Sequence, residues 1–121
     1  MQYAILFYES KAALADRVGP QAAAYWSTWA AYFGALGERT ASGACLTGPA
    51  SGAVVRVSGS ERTVQDGPHG DTKEELGGFA VIKADSLEGA LAWAQRCPAA
   101  TGGAVEVRPV QSMNEIPEMQ S

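Results

Sequence analysis

Apolar residues fall along the chain in short runs, and the spacing within each run predicts its element. Residues 2–8, QYAILFY, are an unbroken apolar and aromatic run of strand length, which predicts a strand buried on both faces. After a polar loop, Pro20 suits the first turn of a helix reaching to about Leu36. Its bulky side chains, Tyr25, Trp26, Trp29, Tyr32, Phe33 and Leu36, recur at the spacing of one helical face. The opposite face, Gln21, Ala24, Thr28, Ala31 and Ala35, is small or mildly polar, so the aromatic stripe reads as a core face rather than a cofactor cradle. Gly37 ends the helix. Residues 43–47 and 53–58 predict strands, and the turn at Ser58-Gly59-Ser60 lets residues 62–65 pair back as a hairpin. Residues 78–84, GFAVIKA, predict another apolar strand. Asp85-Ser86-Leu87-Glu88 resembles a capping box, with Asp85 as the cap and Glu88 reaching back. The helix it opens runs to about Arg96, buries Leu87, Ala90, Leu91 and Ala94, and is stopped by Pro98. Residues 104–110, AVEVRPV, alternate cleanly and form the last strand, while the tail from Gln111 carries no strong pattern.

The order is strand, helix, strand with a hairpin insertion, strand, helix, strand. This is an α+β, ferredoxin-like βαββαβ arrangement, expected as one domain over residues 1–110 with a tail at 111–121. Two helices cover one face of such a sheet. Ala4-Ile5-Leu6-Phe7-Tyr8 and Phe79-Ala80-Val81-Ile82 do not alternate with polar residues, so the other face is expected to be oily as well. The simplest remedy is a second copy packed sheet to sheet, a two-fold homodimer.

Composition narrows the function classes. The chain has 121 residues, 46% of them hydrophobic and 18% charged, an ordinary globular mix. Its net charge of −4 is concentrated after Ser60, and neither half offers a basic stripe, which excludes nucleic-acid binding. Cys45 and Cys97 lie far apart with no C-x-x-C, and are expected as buried thiols in a reducing cytoplasm. The start, MQYAILFYESK, lacks the basic region and cleavage site of a signal peptide. Residues 18–37 carry no charge, but Pro20, Gln21, Ser27, Thr28 and several alanines make them a poor membrane span.

The stretch DGPHGDTKEELGGFAVIKADSLEGALAWAQRCPAATGGAVEVRPV, residues 66–110, resembles the YCII-related family, in the branch named for a D-G-P-F motif. The opening strand and aromatic helix fit the same family more loosely. The resemblance implies a ferredoxin-like unit that dimerises through its sheets into an α+β barrel. It further implies relatives that are small lyases or dehalogenases of aromatic ring products, and others that sit near, or are fused to, sigma factors. Two departures matter. His69 stands where the motif has phenylalanine, and residues 19–24, Gly-Pro-Gln-Ala-Ala-Ala, lack the first-helix histidine that YCII-type relatives pair with an aspartate.

Candidate chemistry gathers at residues 66–75. Asp66 is a turn residue of Asp66-Gly67-Pro68 or a pocket carboxylate. His69 is the obvious proton shuttle, with Asp66 or Asp71 to orient its ring, or it is a loop side chain packing one ring face. One histidine with two aspartates is too few for zinc, and no cofactor is expected. Lys73 is a candidate for an anionic substrate. Glu106 and Arg108 share one face of the last strand, with Arg56 expected across the sheet beside them. Tyr3 and Tyr8 are candidate lining residues with hydroxyl handles. Gly77-Gly78 leads into a strand and is not a phosphate loop. The expectation is a cytoplasmic homodimer whose cleft takes a small anionic or aromatic molecule. It acts either as a binding or regulatory module with a transcription-related partner, or as a cofactor-free lyase or isomerase.

Overall fold

The computed structural model describes residues 1–70 and 72–120. Strand β1 (Gln2–Ser10) leads into a short helix α1 (Lys11–Ala15) and the aromatic helix α2 (Ala22–Leu36). Strand β2 (Thr40–Cys45) follows, then a hairpin of β3 (Ala53–Ser58) and β4 (Glu61–Asp66). Strand β5 (Glu74–Lys83), helix α3 (Leu87–Gln95) and strand β6 (Ala104–Pro109) complete the fold. Four strands form one sheet in the order β2-β5-β1-β6, with each neighbouring pair antiparallel. With the hairpin set aside, this is the strand order of a ferredoxin-like unit.

Register places Ile5 beside Ala80 and Val107, and Leu6 beside Phe79 and Glu106. Burial along β1 therefore alternates although the sequence does not. Tyr3, Ile5, Phe7 and Glu9 are buried under the helices, while Ala4, Leu6 and Tyr8 are half-buried on the uncovered face. The predicted strand buried on both faces is thus sealed on one face only, because α2 and α3 cover one side. Phe7 meets Trp29 at a ring-centroid distance of 4.9 Å, and Trp29 meets Tyr32 at 6.2 Å, edge to face. Ile5, Leu36 and Ile82 are fully sealed from water, each a gain of about 2 kcal/mol from apolar burial.

Several expectations need correction. The predicted polar loop contains α1, because the Ser10 hydroxyl accepts the Ala13 N–H at 3.1 Å and caps it. Helix α2 begins after Pro20 rather than with it. The cap of α3 is Ser86, whose hydroxyl accepts Gly89 N–H at 3.1 Å, not Asp85. Ala90 and Ala94 of α3 are buried, but Leu87 and Leu91 are 46% and 41% exposed. The helix is rotated toward Trp93, so its small residues approach the core and its leucines lie on the flank. Strand β5 begins at Glu74, four residues before its expected start at Gly78, and Cys45, on edge strand β2, is exposed while Cys97 is buried. The hairpin forms its own two-stranded sheet, so Arg56 does not share a face with Glu106 and Arg108. No described helix is long and apolar enough to cross a membrane.

Candidate functional site

Glu9 continues the buried side of β1, where a bare carboxylate would be costly. Helix α1 turns the chain so that Arg17 returns over it, with Arg17 Nη2 3.1 Å from Glu9 Oε2. The first turns of α2 then bring Tyr25, whose hydroxyl donates to Glu9 Oε1 at 2.6 Å and accepts Arg17 Nε–H at 3.0 Å. Arg17 also donates to the Gly77 carbonyl at 3.0 Å and to the Leu46 carbonyl. Its own carbonyl accepts the Trp26 indole N–H at 3.1 Å. The guanidinium lies 5.5 Å from the Trp26 ring centroid and 5.8 Å from that of Tyr25. Gly77 makes the arrangement possible, since a Cβ there would overlap Glu9 Oε2 and stand 3.0 Å from Arg17 Nη2.

These contacts set the electrostatics. Burial, and then the bond to Glu9, push the Tyr25 hydroxyl up from 10.0 to about 12 against the pull of Arg17. Burial alone would lower Arg17, yet the hydrogen bond to Tyr25 and the nearby Tyr25, Cys45 and Glu9 charges carry it above its ordinary value.

The triad closes one end of a cleft of about 480 Å³ between α2 and strands β2 and β5. Trp26, Trp29 and Phe33 line it from the helix, while Gly43, Ala44 and Gly78 line it from the strands. Aromatic rings facing backbone and small residues leave a slot suited to a flat ligand. Glu9 and Tyr25 also border a second cavity of about 230 Å³, with Asp16, Gln21, Thr28 and Thr101 around it.

The residues nominated from sequence separate into three places. Asp66 and His69, both exposed, line an open cleft at the base of the hairpin, and Arg56 Nη2 lies 3.4 Å from His69 Nδ1. Lys73 is exposed nearby, and Asp71 lies outside the described residues. Tyr8, Glu106 and Arg108 sit together on the uncovered sheet face. There the Tyr8 hydroxyl donates to Glu106 Oε1 at 3.2 Å, and Arg108 Nε is 4.0 Å from Glu106 Oε2. Burial and the Glu106 bond raise the Tyr8 hydroxyl. Tyr3 is buried on the opposite face with its hydroxyl 3.8 Å from Met1 Sδ, so the two tyrosines do not line one site. Five positions apart on a strand, they point to opposite faces.

Sequence reasoning missed Glu9, Arg17 and Tyr25 as a unit. A signal was present. Glu9 shares the parity of Tyr3, Ile5 and Phe7, and a charge on a core-facing position calls for a partner. Arg17 is the last cation before a charge-free stretch.

Comparison with known proteins accords with this fold. The chain is 43% identical over 60 residues to an uncharacterized protein of Rhizobium meliloti (strain 1021), a match covering 48% of each. The chain thus spans about half the length of the curated relative it matches. A 5-chloro-2-hydroxyhydroquinone dehydrochlorinase from Burkholderia phenoliruptrix, solved in complex with 2,5-dihydroxybenzoquinone, superposes with a TM-score of 0.52. That match covers 92% of this chain and 94% of the enzyme at 18% identity, a likeness of fold. The family model for the YCII-related domain matches residues 1–114, and the chain belongs to the YCII-related domain family.

Proposed function

We propose that the protein is a small-molecule-binding module, working as a homodimer, whose slot between α2 and the sheet takes a hydroxylated aromatic ring. The observation that carries this reading is the aromatic wall of Trp26, Trp29 and Phe33 ending at the buried Glu9–Arg17–Tyr25 triad. Glu9 and Arg17 cancel in charge, and four Arg17 hydrogen bonds are already made within the protein. The polar end therefore suits a neutral hydroxyl that donates to Glu9 better than a fully ionised anion. As a regulatory module, it would pass ligand occupancy to the transcription-related partner implied by the D-G-P-F resemblance.

The test is a titration of ¹⁵N-labelled protein with hydroquinone, a neutral ring diol, and with 2,5-dihydroxybenzoquinone, an anion at neutral pH that should bind less tightly. Saturable shifts are expected at the indole N–H groups of Trp26 and Trp29 but not at Trp93, which lies away from the slot. Glu9→Gln should weaken binding by about tenfold, the worth of one charge-assisted hydrogen bond. Shifts equal at all three indoles, or none that saturate, would refute the reading.

A second reading, a cofactor-free lyase or isomerase, is favoured by the 2.6 Å hydrogen bond between Tyr25 and Glu9 beside the slot. The dehydrochlorinase of similar fold supports the same class. In this reading Glu9, or His69 with Asp66 in the other cleft, moves the proton. Chloride release from 5-chloro-2-hydroxyhydroquinone is the assay. Loss in Glu9→Gln with survival in His69→Phe assigns the step to the slot, and the reverse assigns it to the loop. Absence of release from the wild type removes the dehydrochlorinase form of this reading.

A further inference from the structure

We propose a second ligand site, for an organic ammonium ion, in the open cleft between the base of the β3–β4 hairpin and α1. The inference is independent of the aromatic slot. The cleft encloses about 550 Å³ and is lined by Leu14, Pro49 and Pro68 together with Asp66, His69 and Glu75. Glu75 decides its chemistry. This side chain is 8% exposed and lines the cleft, yet among the described residues it makes no hydrogen bond or ion pair. A carboxylate with no partner among the described residues, on an otherwise buried residue and opening on an apolar-walled cleft, is where a counter-charge gains most.

Its position sharpens the need. Glu75 lies directly across the sheet from Glu9, and like charges facing one another on neighbouring strands repel. Glu9 has Arg17 and Tyr25 to answer it, whereas Glu75 opens on the cleft instead. Among the described residues no three His, Cys, Asp or Glu side chains converge to hold a metal ion. Carboxylates spread around an apolar wall suit instead an ammonium group on a hydrocarbon body. The ammonium meets Glu75, with Asp66 as the exposed second acceptor, and the body rests on Leu14, Pro49 and Pro68. Two cations border the site. Arg56 stands against His69 Nδ1, and Lys11 also lines the cleft. Both favour a ligand with a single positive charge over a diamine.

Benzylamine is the probe, titrated into the full chain by calorimetry, with benzyl alcohol and benzoate as neutral and anionic counterparts. Saturable binding of benzylamine is expected, about tenfold or more tighter than that of either counterpart. Glu75→Gln should remove about tenfold of that affinity and Asp66→Asn about two- to threefold, the exposed carboxylate being screened. Equal binding of benzyl alcohol, unchanged affinity in Glu75→Gln, or no saturation at all would each overturn the site. Leu14→Arg covers the case in which Glu75→Gln fails to fold. A third cation in the cleft must abolish benzylamine binding, and its persistence would refute the proposal. Addition of benzylamine should leave the Trp26 and Trp29 indole resonances in place, which separates this cleft from the slot.

Discussion

Tyr25 carries a pH signature that belongs to one hydroxyl. Its proton is held to about 12 in the folded chain, mainly by burial, while the unfolded chain releases it near 10.0. Below pH 10 neither state ionises, and Tyr25 adds no pH dependence. Between 10 and 12 the unfolded state sheds its proton first, so stability falls as pH rises. In Tyr25→Phe the urea midpoint should therefore decline less steeply over that window than in the wild type. Tyr32 and Cys97, also raised by burial, leave a background slope common to both proteins. Identical slopes would contradict the assignment. At pH 7 the same variant takes the donor from Glu9 Oε1, while Arg17 still meets Oε2, and should cost about 1–2 kcal/mol, read from the midpoint.

At the scale of elements, the aromatic helix and the apolar strands were legible because their periods are long and their side chains large. Of the stripe, Trp29, Tyr32 and Leu36 are buried and Tyr25 and Phe33 half-buried, but Trp26, expected on the same core face, is 43% exposed at the mouth of the slot. What stayed hidden depended on partners distant in sequence. The rotation of α3 follows from how close Ala90 and Ala94 can approach the core, and the 3–4 spacing of its leucines carries no trace of that. The hairpin is legible in its turn residues, but not its separation from the main sheet, since pairing between β3 and β4 is local and their relation to β6 is not. The loop candidates came from residue type alone. His69 and Asp66 do share a cleft, yet the buried carboxylate beside them, Glu75, sits in a run of acids that reads as solvated. The Glu9–Arg17–Tyr25 cluster joins a strand, a turn and a helix, and only folding brings its members within hydrogen-bond reach.

For the whole molecule, the uncovered sheet face is the feature that bears on assembly. Leu6, Leu76, Phe79 and Val81 lie there half-buried, with Glu106 and Arg108 toward the β6 edge. A second copy packed on this face would bury them, so light scattering should give a mass about twice 12.6 kDa at micromolar concentration. Phe79→Lys should return the mass to that of one chain, because a charge at the centre of a dry interface has no partner. A monomeric wild type would refute the homodimer.

The seat of Arg17 has a consequence for how the chain tolerates change over time. Two of its four acceptors, Leu46 and Gly77, are peptide oxygens, which no substitution deletes. Glu9 or Tyr25 can drift to other side chains while the cation remains anchored by main chain. Descendants of this sequence are therefore free to rewrite the chemistry around a fixed positive charge.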